Sequence, residues 1–136
     1  MKYSTARRVL PDWLRRYVYS FETMIESAVE ALADVLPEGA RVLDAGAGEG
    51  QYAEHFQRHR YTGVDLGVGD TAWNYGRLDA VADLTALPFR DATFHAVLNI
   101  VTLEHLREPL AALREVARVL KPGGVLLLIA PHEWEV

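Results

Sequence analysis

Cysteine is absent from the sequence, which excludes disulfides, thiolate metal sites and cysteine nucleophiles and removes any need for an oxidising compartment. The expected location is the cytoplasm. An excess of positive charge is also missing: 14 Lys and Arg stand against 19 Asp and Glu, a formal net charge of -5 at pH 7. Phosphate backbones therefore gain no general electrostatic attraction, and nucleic acid is not expected as a partner. Long apolar runs are missing too. Val125 to Ala130 stops at Pro131, far short of the ~20 apolar residues a membrane helix needs, and the charged amino terminus lacks a signal-peptide core. Stable membrane insertion is not expected. The five histidines are spread along the chain, and no metal site is expected. Internal repeats and low-complexity segments are absent as well.

What is present is a chain of 136 residues, half of them hydrophobic, enough for one domain with a real core. Residues 1–21 mix Tyr3, Trp13, Tyr17, Tyr19 and Phe21 with Arg7, Arg8, Arg15 and Arg16 around Pro11, and read as an aromatic and basic arm or lid. Residues 22–136 read as the core. From Glu22, the residues Ile25, Ala28, Val29, Leu32 and Leu36 recur at helical spacing until Pro37 and Gly39 end the helix. A strand is expected at Arg41–Ala45, a glycine turn at Gly46–Gly50 and a helix at Gln51–Arg60. A second strand ends at Asp65, a third lies near Leu78–Ala82 and a fourth at Phe94–Asn99. Pro109 suits the first turn of a helix whose buried face is expected to be Leu110, Leu113, Ala117 and Leu120. Lys121-Pro122-Gly123-Gly124 is expected to stop that helix. The continuously apolar Val125–Ala130 then has the character of a strand in a parallel sheet covered on both faces. The alternation predicts an α/β fold with a doubly wound, mostly parallel Rossmann-like sheet flanked by helices.

In such sheets ligands bind beyond the carboxyl ends of the strands. Val42-Leu43-Asp44-Ala45-Gly46-Ala47-Gly48-Glu49-Gly50 places glycines where the backbone must turn sharply and approach a ligand. A dinucleotide fingerprint would carry a third glycine or alanine at position 51, where this chain has Gln51. A nicotinamide-dependent oxidoreductase is therefore disfavoured, while Asp44 suits a ligand bearing positive charge. Asp65 stands about twenty residues after the first glycine, where an acidic residue accepts hydrogen bonds from ribose hydroxyls. Asp83 holds the equivalent place after the third strand. It suits either an exocyclic amino group such as that of adenine or a helix cap.

Three segments, VLDAGAGEG (42–50), DLTALPFRDATFHAV (83–97) and LEHLREPLAALREVARVLKPGGVLLLIAP (103–131), resemble the class I, seven-stranded S-adenosylmethionine (SAM)-dependent methyltransferases, in particular their type 11 small-molecule branch. The resemblance covers about residues 41–131. It implies a SAM site at Asp44, Gly46, Gly48 and Gly50, ribose binding at Asp65 and Leu66, adenine contact at Asp83 and Leu84, and a methionine site lined by Asn99 and Ile100. It also implies methyl transfer to a small-molecule or carrier-linked acceptor, the alternative being a SAM- or SAH-binding module without turnover. His105 and His132 are the candidates for a general base, with a structural or substrate-contact role preferred for each. Trp73 or Tyr75 is a candidate adenine wall, and Tyr17 and Phe21 a candidate lid.

The chain departs from the family pattern in three ways. Phe94-His95 replaces the usual Phe-Asp pair, and the connection after Asp65 is short and rich in glycine. Family members also continue past the fifth strand into a helix and two further strands. The fold is accordingly expected to be truncated after the fifth strand, with a homodimer across that strand's exposed edge as the physical alternative.

Overall fold

The computed structural model describes residues 11–68 and 74–131. Helix α1 spans Asp12–Val35. Neither proline nor glycine interrupts that run, and Pro11 precedes it at the cap position, where a missing N–H costs nothing. The sequence reading starts this helix at Glu22; the structure starts it at Asp12 and carries it unbroken past residues 21 and 22. Of the aromatics in residues 1–21, Trp13 and Tyr17 lie on the helix surface, 72% and 68% exposed, and Tyr3 lies outside the described residues. Ile25, Val29, Leu32 and Ala33 form the buried stripe at three- and four-residue spacing, and Phe21 packs against the same cluster.

Five strands follow: β1 (Arg41–Ala45), β2 (Arg60–Asp65), β3 (Ala80–Val81), β4 (Phe94–Ile100) and β5 (Leu120–Ile129). Their spatial order is β3-β2-β1-β4-β5, and every neighbouring pair is parallel. The chain builds outward from β1 to β3 and then crosses to β4 on the other flank of β1. The β1/β4 boundary is therefore the topological switch point, where a crevice opens for a ligand.

Successive residues of a strand face opposite sides of the sheet, and β1 divides its residues accordingly. Val42 joins Ala96, Leu98, Ile100 and the α1 stripe on one face. Leu43 and Ala45 join Val64, Val97 and helix α2 (Pro109–Val119) on the other. These two cores clamp the carboxyl ends of β1 and β4 from both sides.

Four further details differ from the sequence reading. The helix expected at Gln51–Arg60 is a 3-10 turn at Ala53–Phe56, held by three-residue hydrogen bonds such as His55 N–H to Tyr52 O at 3.1 Å. A short connection must return the chain along the length of β1, and a 3-10 turn advances about 2 Å per residue against 1.5 Å for an α-helix. The third strand is only Ala80–Val81. In α2 the buried residues are Ala112, Val116 and Val119, while Leu110 is 67% exposed and Ala117 also faces out. Small and β-branched residues there allow close approach to the sheet. Finally, β5 begins at Leu120, so Lys121-Pro122-Gly123-Gly124 lies within the strand, where the ladder jumps from Phe94↔Leu120 to Ala96↔Val125. Gly123 takes φ +77, which an irregularity of this kind tolerates. β5 is an edge of the sheet, with Val125 45% and Leu128 41% exposed.

Candidate cofactor site

The loop after β1 is tied down at once. Val64 O of β2 accepts both Gly46 N–H at 2.9 Å and Ala47 N–H at 3.0 Å. Gly46, Gly48 and Gly50 then take φ of +97, +55 and +73, a left-handed backbone that side chains disfavour. Space adds a second constraint at Gly46, where a Cβ would overlap the side chain of Thr102. Thr102 Oγ1 itself donates to Ile100 O at 3.0 Å and lies 3.4 Å from Gly46 O, fastening the end of β4 to the glycine loop.

Asp65, the last residue of β2, accepts from Gly48 N–H through Oδ2 at 3.0 Å and from Gly67 N–H through Oδ1 at 2.9 Å. Two backbone donors fix its plane, and each oxygen keeps a lone pair for a ligand hydroxyl. The exposed Leu66 follows it. The segment Asn74–Arg77 then folds back over the loop. Asn74 N–H donates to Glu49 Oε1 at 2.8 Å, and the Tyr75 ring and the Arg77 side chain are the nearest neighbours of the open faces of Gly67 and Gly50. Tyr75 thus stands beside the acidic end of β2. Trp73, the other candidate wall, lies outside the described residues.

Asp83 is exposed beyond β3, where its Oδ1 accepts from Thr85 N–H at 2.9 Å and Thr85 Oγ1 at 2.7 Å. These bonds hold its carboxyl below its ordinary value. No helix follows Asp83, so these bonds close a local turn instead of capping a helix, and Oδ2 is left to accept from a ligand. Leu84, 5% exposed, sends its side chain into the core on the α2 face. Asn99, 2% exposed, donates through Nδ2 to Ala45 O at 2.9 Å, while its Oδ1 is buried without a hydrogen-bond partner. Ile100 lies in the core on the α1 face. Both sit at the carboxyl end of β4, beside β1. His105 ends the 3-10 turn Leu103–His105 beyond β4; its side chain is 75% exposed, 3.8 Å from Glu104 Oε1. His132 lies outside the described residues.

Asp44 is 1% exposed and accepts from Tyr61 Oη through Oδ2 at 2.6 Å. Burial, first, and the charge of Asp65 push its carboxyl up to about 7, against the opposing pull of the Tyr61 hydrogen bond. A buried carboxyl held near neutrality is stabilised as the anion by an arriving cation. Tyr61 and Thr102 carry no motif signal, and their part emerges only from how the strands pair; Glu49 lies within the glycine motif, but its bond to Asn74 emerges only from the folded loop. His95, in the place of the usual aspartate, accepts Arg41 N–H through Nδ1 at 2.9 Å.

The methyltransferase domain family, type 11, matches residues 43–128, and the chain belongs to it. The fatty-acid O-methyltransferase of Mycolicibacterium smegmatis is 37% identical over 140 residues, covering 91% of this chain and 49% of that protein. The tRNA (carboxymethyluridine(34)-5-O)-methyltransferase of Arabidopsis thaliana is 33% identical, covering 74% of this chain and 26% of that protein. Among solved structures, the [4+2]-cyclase SpnF superposes with a TM-score of 0.58 at 33% identity, covering 71% of this chain and 43% of that one. The chain spans about half the length, or less, of these relatives.

The residues present fit the cofactor that the resemblance implies. A nucleoside needs an oriented carboxylate for its ribose and an acceptor for its base; Asp65, fixed by two backbone donors, would meet the first need, and Asp83 Oδ2 would meet the second. The amino-acid end of SAM needs anionic and polar groups near the glycine loop, and Asp44 and the orphaned Asn99 Oδ1 are such groups. Among the described residues no helix is long and apolar enough to cross a membrane.

Proposed function

We propose that this chain forms the SAM-binding part of a methyltransferase acting on a small-molecule or carrier-linked acceptor. The observation that carries the proposal is Asp65, held by two loop N–H groups at the end of β2 beside glycines that leave room for a ligand. Bound SAM supplies an electrophilic methyl group whose in-line displacement from sulfur depends on alignment and exclusion of water more than on a protein nucleophile. Within that chemistry Asp65 and Leu66 hold the ribose, while Asp83 and the backbone at Leu84 take the adenine edge. Asp44, Gly46, Gly48, Gly50, Asn99 and Ile100 shape the methionine end. His105 and His132 serve the acceptor side, by contact or as a base. The net charge of -5 supports a small acceptor over RNA, although an RNA methyltransferase is among the relatives. A cytoplasmic location agrees with the absence of cysteine.

Titration with S-adenosylhomocysteine (SAH) by calorimetry tests the reading, with NAD as control. Saturable SAH binding, weakened at least tenfold by Asp65→Ala as expected for loss of a charged hydrogen-bond acceptor, supports it; NAD binding in place of SAH sinks it. A second reading, a cofactor-binding module without methyl transfer, draws on the cyclase that shares this fold, and a labelled-methyl transfer assay separates the two. The open edge of β5 also invites pairing with a second copy, which sedimentation at rising concentration would reveal as a dimer.

A further inference from the structure

Tyr61 enters β2 at its second position and points toward the α1 face, where it packs with the core. Two residues on, Gly63 lies on the same side of the strand and pairs across the sheet with Asp44. A Cβ at Gly63 would come within 3.3 Å of Tyr61 Cε1 and 3.4 Å of its hydroxyl, so the ring lies across the bare face of Gly63. That route brings Tyr61 Oη to Asp44 Oδ2 at 2.6 Å. Phe56 stacks on the ring at 6.0 Å between centroids and holds it in place.

The arrangement is costly as it stands. Asp44 is buried, which raises its carboxyl, as does Asp65; the Tyr61 hydrogen bond lowers it, and among the described residues no cation acts on it. Around Tyr61 the titratable groups are Asp44, Asp79 and Tyr52, which together with burial push its phenol up. Tyr61 therefore stays a donor at all ordinary pH. Its hydrogen bond goes to the carboxylate of Asp44 on β1, the strand that borders the switch point.

Resting on the methyltransferase reading, we infer that Tyr61 is a positioning residue: it holds Asp44 as an oriented anion for the ammonium group of the cofactor's amino-acid end, making that contact dependent on pH. The ammonium stays protonated through neutrality, so Asp44 is the group that switches. Below its midpoint the pocket offers a neutral acid, and above it an anion.

The test compares SAH with 5′-methylthioadenosine, the same nucleoside thioether without the amino-acid end, by calorimetry between about pH 5.5 and pH 8.5. SAH affinity is expected to rise with pH, by up to tenfold per unit below the midpoint, while methylthioadenosine affinity stays flat. Tyr61→Phe is expected to weaken SAH roughly tenfold at pH 8 and move the midpoint up by about one unit, leaving methylthioadenosine unchanged. Gly63→Ala, which crowds the ring rather than removing the hydroxyl, should shift the midpoint in the same direction. Flat SAH affinity in the unaltered protein alongside methylthioadenosine binding overturns this inference and leaves the methyltransferase reading standing. If neither ligand binds, both fall. If the variants do not fold, the pH comparison in the unaltered protein can still overturn the inference, because a flat SAH profile leaves Tyr61 no switching carboxylate to position.

Discussion

A carboxyl with no water around it keeps its proton into the neutral range, and Asp44 does so up to about 7 against an ordinary 3.8. The folded state therefore binds a proton that the unfolded chain has released, and stability falls as pH rises from about 4 to about 7 before levelling off. Replacing the group by Asp44→Asn removes that slope. Between about pH 5 and pH 8 the melting temperature of the unaltered protein should drop relative to the variant. His95 works in the opposite sense: burial, then the charges of Lys121 and Arg41, hold its imidazole below its ordinary value. It contributes stability that is full above the unfolded histidine pKa and is lost as pH falls through the folded one. In the Asp44→Asn background the loss between about pH 7 and pH 5 should therefore follow His95, and His95→Asn should diminish it, while the lowered carboxyls of Asp83 and Glu115 contribute only at more acid pH. Ala92 gives a prediction of another kind. It is exposed and sits at φ +51, where an L-residue costs roughly 1–2 kcal/mol. Ala92→Gly should raise stability by about 0.5–1 kcal/mol in chemical denaturation, the relief of strain exceeding glycine's added entropy in the unfolded chain.

The elements are joined at their least regular parts. The segment between β3 and β4 has only the two residues of β3 to anchor it, yet it carries Asp83 and Leu84. Helix α2 secures it through Arg118, whose guanidinium donates to Phe89 O at 2.8 Å, Leu87 O at 3.0 Å and Asp91 Oδ1 at 2.9 Å. Glu115 binds the same guanidinium at 2.8 Å and accepts Leu87 N–H at 2.8 Å. One planar cation thus satisfies two backbone carbonyls and two carboxylates. Arg118→Ala should cost about 2 kcal/mol in urea denaturation, and Arg118→Lys should recover little, because a point charge cannot span those acceptors. Hydrophobic spacing marks Leu110, Leu113, Ala117 and Leu120 as the inner side of α2. The same periodicity fits a stripe rotated about the helix, and the need to aim Arg118 and Glu115 at this segment selects Ala112, Val116 and Val119. Periodicity gives a stripe; its rotation depends on what the rest of the surface must reach.

Across the whole molecule, a ligand that binds only the folded state raises stability by mass action. SAH at about one hundred times its dissociation constant should add about 2.7 kcal/mol, a melting shift on the order of 10 °C, with none from NAD. The shift should be larger at pH 8 than at pH 6 if Asp44 meets the ammonium. The sequence by itself determined the strand–glycine loop–strand order, the acidic residues closing successive strands, and the family, because each depends on neighbours within a few positions of the chain. Tertiary structure decided the rest. Helix α1 extends to Asp12 because its buried stripe anchors a run that nothing interrupts. Tyr61 meets Asp44 across a seventeen-residue separation, because parallel pairing sets Gly63 opposite Asp44 and leaves the ring one route inward. Register between strands is a property of the assembled sheet, and no local pattern in the chain contains it.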